Sequence, residues 1–83
     1  MILTLYSTEH CSLCERALEL LLSMPESRGA TLEVVDVAAD SILLERFGPR
    51  LPVLVIGDRE LDWPFTRAEI AAELARADPR ASR

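Results

Sequence analysis

The stretch Val53-Leu54-Val55-Ile56-Gly57-Asp58-Arg59-Glu60-Leu61-Asp62 limits the fold of this chain more than any other. The apolar run Val53 to Ile56 fits a buried strand, and Gly57-Asp58 suits a two-residue hairpin turn, because glycine takes the positive φ that such turns require. The more polar Arg59 to Asp62 then returns antiparallel, as an edge strand. Near the other end, Ile2 to Tyr6 is almost continuously apolar, the pattern of a strand covered on both faces. From Leu13 to Met24, the residues Cys14, Ala17, Leu18 and Leu21 recur at helical spacing while Ser12, Arg16, Glu19 and Ser23 share the opposite side. This predicts an amphipathic helix, stopped by Pro25. The β-branched run Thr31 to Val37 predicts a second strand, parallel to the first because a helix joins them. A parallel pair and a hairpin in one chain require a mixed sheet.

Two further helices complete the pattern. Asp40 or Ser41 can cap a short helix through Phe47 that stops at Gly48-Pro49. Thr66-Arg67-Ala68-Glu69 has the capping-box pattern, and Ile70, Ala71, Leu74 and Ala75 form the apolar stripe of a last helix ending before Asp78-Pro79. The order is β-α-β-α-β-β-α, an α/β chain with a four-stranded mixed sheet flanked by three helices, on both of its faces. No repeat, linker or low-complexity segment divides the 83 residues, so we expect one domain over 1–78 and a frayed tail over 79–83. With 49% apolar residues and only 3 glycines, the chain is suited to regular elements around an aliphatic core.

The net charge of −5, from 14 acidic and 9 basic residues, disfavours nucleic-acid and anionic-membrane partners. No stretch approaches the ~18–20 apolar residues that span a bilayer, and the apolar start MILTLY lacks a basic flank. The expectation is a monomeric, cytoplasmic protein. In that reducing setting a Cys-x-x-Cys pair points to catalysis or metal binding rather than to a permanent staple.

Both cysteines lie in Thr8-Glu9-His10-Cys11-Ser12-Leu13-Cys14-Glu15, between the first strand and the first helix. They can be read as a redox couple, as half of a metal site, or as small apolar residues at a helix start. A zinc site needs four ligands, and besides the cysteines the chain supplies a single histidine, His10, directly next to Cys11. One chain therefore does not complete such a site, although paired motifs in a dimer could, and we expect no metal. Ser12-x-x-Glu15 is itself a capping-box pattern that competes with a helix start at Cys11.

The strand LTLYS running into Cys11-Ser12-Leu13-Cys14, Leu51-Pro52 opening the strand VLVI, and the element order around them resemble the glutaredoxin-like branch of the thioredoxin superfamily. The resemblance spans nearly the whole chain and implies a thioredoxin-like fold with thiol-disulfide exchange. It implies that Cys11 attacks and Cys14 resolves. At the first turn of a helix the Cys11 sulfur meets unpaired backbone N–H groups and the positive end of the helix dipole, which favour the thiolate, while Glu9 and Glu15 oppose it. The resemblance also implies a cis Leu51-Pro52 bond beside the sulfurs, with Leu51 offering its backbone to a disulfide substrate. Residue physics permits but does not require this, since proline is tolerated at the start of a strand and only about 5–6% of X-Pro bonds are cis.

The substrate implied is a disulfide-containing protein or a small thiol, with no bound cofactor and glutathione as a weak co-substrate. The lysine common before the motif is replaced by Glu9-His10, and the family's Gly-Gly…Asp segment by Asp62-Trp63-Pro64-Phe65. Arg46 and Arg50, flanking Gly48-Pro49, are the cations placed to compensate; both read as solvated side chains, and Arg50 joins Leu51 and Pro52 in the expected substrate-binding set. His10 reads as an exposed loop residue, and Trp63 and Phe65 as core or lid packing. The alternatives are a redox-silent module that binds a peptide beside Pro52 and a metal carrier built from paired motifs.

Overall fold

The computed structural model describes residues 1–25 and 29–77. Strand β1 (Ile2–Ser7) leads into helix α1 (Ser12–Ser23), and strand β2 (Thr31–Asp36) follows. Helix α2 (Ser41–Phe47), strand β3 (Val53–Ile56), strand β4 (Arg59–Asp62) and helix α3 (Arg67–Ala77) complete the order expected from the sequence. The strands lie in the order β2-β1-β3-β4. β2 pairs parallel with β1, whereas β1–β3 and β3–β4 are antiparallel, so the sheet is mixed. Gly57 has φ +61° in the hairpin turn, where Ile56 pairs with Arg59 across two residues. The tail 79–83 and Asp78 lie outside the described residues.

Side-chain alternation divides the core in two. On one face Leu3 and Leu5 of β1 pair with Ile56 and Leu54 of β3, and Ala17 and Leu21 of α1 and Ile70 and Leu74 of α3 close over them. On the other face Val53 meets Val37 and Phe47, with Tyr6, Leu43, Leu51 and Val55 around them. Burying each such leucine, valine or phenylalanine contributes about 1.5–3 kcal/mol against the entropy of ordering the chain.

One element end departs from expectation, and local contacts fix the detail of two others. β2 ends at Asp36, because its carboxylate accepts the Ala38 N–H at 2.9 Å and turns Val37–Ala39 into a 3-10 segment. Asp40, rather than Ser41, caps α2, accepting from the Ile42 and Leu43 N–H groups at 2.9 and 3.3 Å. Gly48 does not adopt a left-handed cap. With φ −48° and ψ −50° it carries the chain on into a second 3-10 turn, Gly48–Arg50. The capping box of α3 is present as read: the Glu69 N–H donates to Thr66 Oγ1 at 3.1 Å, and the Thr66 N–H donates to Glu69 Oε1 at 3.0 Å.

Candidate active site

The two cysteines sit where β1 hands the chain to α1. His10 takes φ 58°, a left-handed conformation in which histidine is enriched among non-glycine residues, and Cys11 follows in an extended conformation as the N-cap of α1. Its carbonyl accepts the first helical bond, from the Glu15 N–H at 3.1 Å. Its sulfur accepts from the Cys14 N–H at 3.2 Å, so Cys11, not Ser12, satisfies an orphan donor of the first turn. The competing capping box at Ser12-x-x-Glu15 is therefore not the one used.

Cys14 lies one turn on, on the stripe shared with Ala17 and Leu21, and is only 5% exposed. Cys11 is half-buried at the rim. The two are joined by a disulfide, with a Cα–Cα separation of 5.2 Å that is ordinary for such a bridge. A cleft of about 150 Å³ opens beside them, lined by both cysteines, His10, Leu18 of α1 and Val34 of β2. Val34 is 50% exposed, so the edge strand leaves this side of the motif open. Glu9, His10 and Glu15 are exposed around it.

The second part of the site approaches from β3. Tyr6 pairs antiparallel with Val53, and carrying that register one residue further sets Pro52 opposite Ser7, the residue from which β1 enters the cysteine loop. Leu51-Pro52 thus occupies the same end of the sheet as Cys11 and Cys14. Its peptide bond is cis, as is the Trp63-Pro64 bond, which nothing in the sequence reading singled out. Pro52 is fully buried, and Leu51 is half-buried against Val37, Phe47 and Val53.

Arg50 is not a free cation at this ledge. Its Nη2 donates to Asp62 at 2.7 Å and to Glu60 at 3.0 Å, and its Nε donates to Asp62 at 3.1 Å. These hydrogen bonds, to Asp62 first and then to Glu60, raise its pKa above the ordinary arginine value. Arg46 donates to the other oxygen of Glu60 at 2.8 Å. Both guanidinium groups also lie over the Phe47 ring, 5.0 and 5.7 Å from its centroid, and Phe47 stacks on Tyr6 at 4.3 Å. Arg46 and Arg50, read from the sequence as solvated, are therefore members of one ion and ring cluster.

That cluster escaped the sequence reading because its ion-paired side chains stand 10–14 residues apart. One signal was available. Glu60 and Asp62 stand two apart on a strand and so share a face, and Arg46 and Arg50 stand four apart around the end of α2. Trp63 and Phe65 meet edge to face at 5.1 Å and pack into the core, where Phe65 is buried, consistent with the packing role read for them.

A CxxC motif at the N-terminus of the first helix, with a proline at the head of the neighbouring antiparallel strand, defines a dithiol protein of the thioredoxin fold. The sequence matches the family model Glutaredoxin-like domain (DUF836) over residues 2–75, and the chain belongs to that family. Among solved structures it is similar to the structural-genomics target protein XcR50 from X. campestris, at 38% identity. The crystal structure of that protein covers 92% of this chain and 99% of its own, and the solution structure 94% and 97%, each with a TM-score of 0.76. Thioredoxin 1 from Thermosipho africanus TCF52B shares the fold, with a TM-score of 0.73 over 100% of both chains at 16% identity. No curated protein matches the sequence. Among the described residues no helix is long and apolar enough to cross a membrane.

Proposed function

We propose that the protein is a thiol-disulfide oxidoreductase in which Cys11 attacks and Cys14 resolves. The observation that carries this reading is the asymmetry of the pair. Cys11 caps the helix at the rim, its sulfur held by a backbone N–H, while Cys14 is buried one turn behind it within bonding reach.

In the reduced protein the Cys11 thiolate attacks one sulfur of a substrate disulfide. The substrate S–S bond breaks, a mixed disulfide with Cys11 forms, and the first substrate thiolate leaves and takes a proton from solvent. Cys14 gives up its proton and attacks the Cys11 sulfur, which releases the second substrate thiolate and closes the Cys11–Cys14 bridge. Two electrons pass from dithiol to disulfide, and the reverse sequence oxidises a dithiol substrate. The N–H at the Cys11 sulfur and the helix dipole stabilise the thiolate both as nucleophile and as leaving group.

Leu51 and Pro52 form the ledge opposite the motif, with the Leu51 backbone available to pair with an extended substrate segment. Arg50 meets the substrate as part of its ion cluster. The substrate is a protein disulfide or a small thiol; glutathione is a weak co-substrate, since Glu9 and Asp62-Trp63-Pro64-Phe65 stand where its carboxylate contacts would be needed. The protein works as a monomer in the cytoplasm, without a cofactor.

The test is direct. Pre-reduced protein mixed with the neutral 2-hydroxyethyl disulfide is expected to lose both thiols and release two small thiols per chain, and to recover both on reduction. Thiols that stay inert would leave only a binding role, and metal released on thiol modification would favour the carrier alternative.

A further inference from the structure

Glu60 and Asp62 of β4 do nothing for the sulfur chemistry, yet they occupy two arginines at the end of the sheet where that chemistry takes place. The register sets this position. Val53 pairs with Tyr6 on one side and with Asp62 on the other, so the exits of β1 and β4 and the entry of β3 lie side by side. Asp62 thus flanks the ledge formed by Leu51 and Pro52, and Arg50 immediately precedes that ledge in sequence.

Resting on the oxidoreductase reading above, we infer that Glu60 and Asp62 determine substrate charge: by pairing with Arg46 and Arg50 beside the Leu51-Pro52 ledge, they close the site to anionic disulfides and leave it to neutral and cationic ones. The geometry favours this over a free cationic rim. Arg50 turns both Nε and Nη2 onto Asp62 and shares Nη2 with Glu60, while Arg46 takes the remaining Glu60 oxygen. Two guanidinium groups and two carboxylates cancel within hydrogen-bond distance. Both guanidinium groups also lie over the Phe47 ring, itself buried and stacked on Tyr6, which holds them beside β4.

A carboxylate on an incoming disulfide would have to displace a partner already held at 2.7–3.1 Å. Beyond the cancelled cluster, the exposed Glu9 and Glu15 at the motif set the sign that such a substrate meets. A cationic disulfide meets no such barrier and is drawn in by the same field.

The experiment uses the pre-reduced full chain in single turnover, so no further reductant takes part, with three probes: cystamine (cationic), 2-hydroxyethyl disulfide (neutral) and 3,3′-dithiodipropionate (anionic). At low salt the parent is expected to react faster with cystamine than with dithiodipropionate. The double variant E60Q/D62N frees two guanidinium groups, and the anionic-to-cationic rate ratio should rise about tenfold, with the neutral probe unchanged. R50Q should move the same ratio the other way, by about threefold, and added salt should collapse both effects.

The inference is overturned if the ratio is the same in parent and variants, or if all three probes speed up or slow down together, which is what a merely structural role for the cluster would produce. A parent chain inert toward all three probes would instead defeat the oxidoreductase reading, and the inference with it.

Discussion

The two faces of the sheet are held by different physics. The face under α1 and α3 is an aliphatic core in which Leu3, Leu5, Leu21, Leu54, Ile56 and Ile70 are essentially inaccessible to water. The face under α2 has a small buried group, Val37, Phe47 and Val53, finished by a ring stack and by ion pairs whose side chains are substantially exposed. Exposed ion pairs contribute little to stability, whereas aliphatic burial contributes to it in proportion to area. Most of the folding free energy therefore comes from the first face, and the shape of the Leu51-Pro52 ledge from the second. α1 belongs to the stable face and begins at the motif, so Cys14, in its first turn, is anchored where the structure is firmest.

The largest effect is expected from Leu54→Ala. Leu54 is fully buried at the centre of the larger core, and the cavity should cost about 2–5 kcal/mol, a large part of the total stability of a small domain. Urea unfolding measures it, and under native conditions the folded fraction should still exchange disulfides at the parent rate. Phe47→Leu comes next. It keeps an apolar side chain but removes the Tyr6 stack and the surface on which both arginines lie, for a loss of about 1–1.5 kcal/mol. Here the disulfide-exchange rate should fall along with stability. A Phe47 variant with parent-like exchange would break the division of labour between the faces.

The smallest effect tests a single cap. Asp40→Ala removes the acceptor for the Ile42 and Leu43 N–H groups at the start of α2, at a cost of about 1 kcal/mol. Amide exchange should accelerate in α2 while α1 and α3 keep their protection. Uniform acceleration across all three helices would mean that the faces are not separable.

The larger face was the more legible in sequence, for a physical reason. Its helices carry long apolar stripes, its strands are continuous apolar runs, and its caps use local partners three residues apart, as Thr66 and Glu69 do. The same is true of the helix behind the motif, which follows from the stripe Cys14, Ala17, Leu21, although the sequence leaves its start open between Cys11 and Ser12 and the Cys14 N–H on the Cys11 sulfur decides it. The smaller face is built from long-range contacts between charged residues on a short helix end and an edge strand, which leave no periodic trace. Arg46 is exposed and Arg50 partly exposed, as read, but their pairing with Glu60 and Asp62 was not legible. Local polar chemistry also overrode the pattern there, since the carboxylate of Asp36 diverts Val37 out of the strand. The leucine ahead of Pro52 could be assigned to the site only through family resemblance.

The central claim is that the two thiols differ, with Cys11 at the rim and capped by a backbone N–H and Cys14 buried behind it. Brief alkylation of the reduced protein with iodoacetamide near neutral pH, followed by mass-spectrometric fragmentation of the peptide carrying both residues, measures that difference directly. Cys11 is expected to be modified at least ~10-fold faster than Cys14. Preferential modification of Cys14, or equal rates at the two positions, would contradict the account.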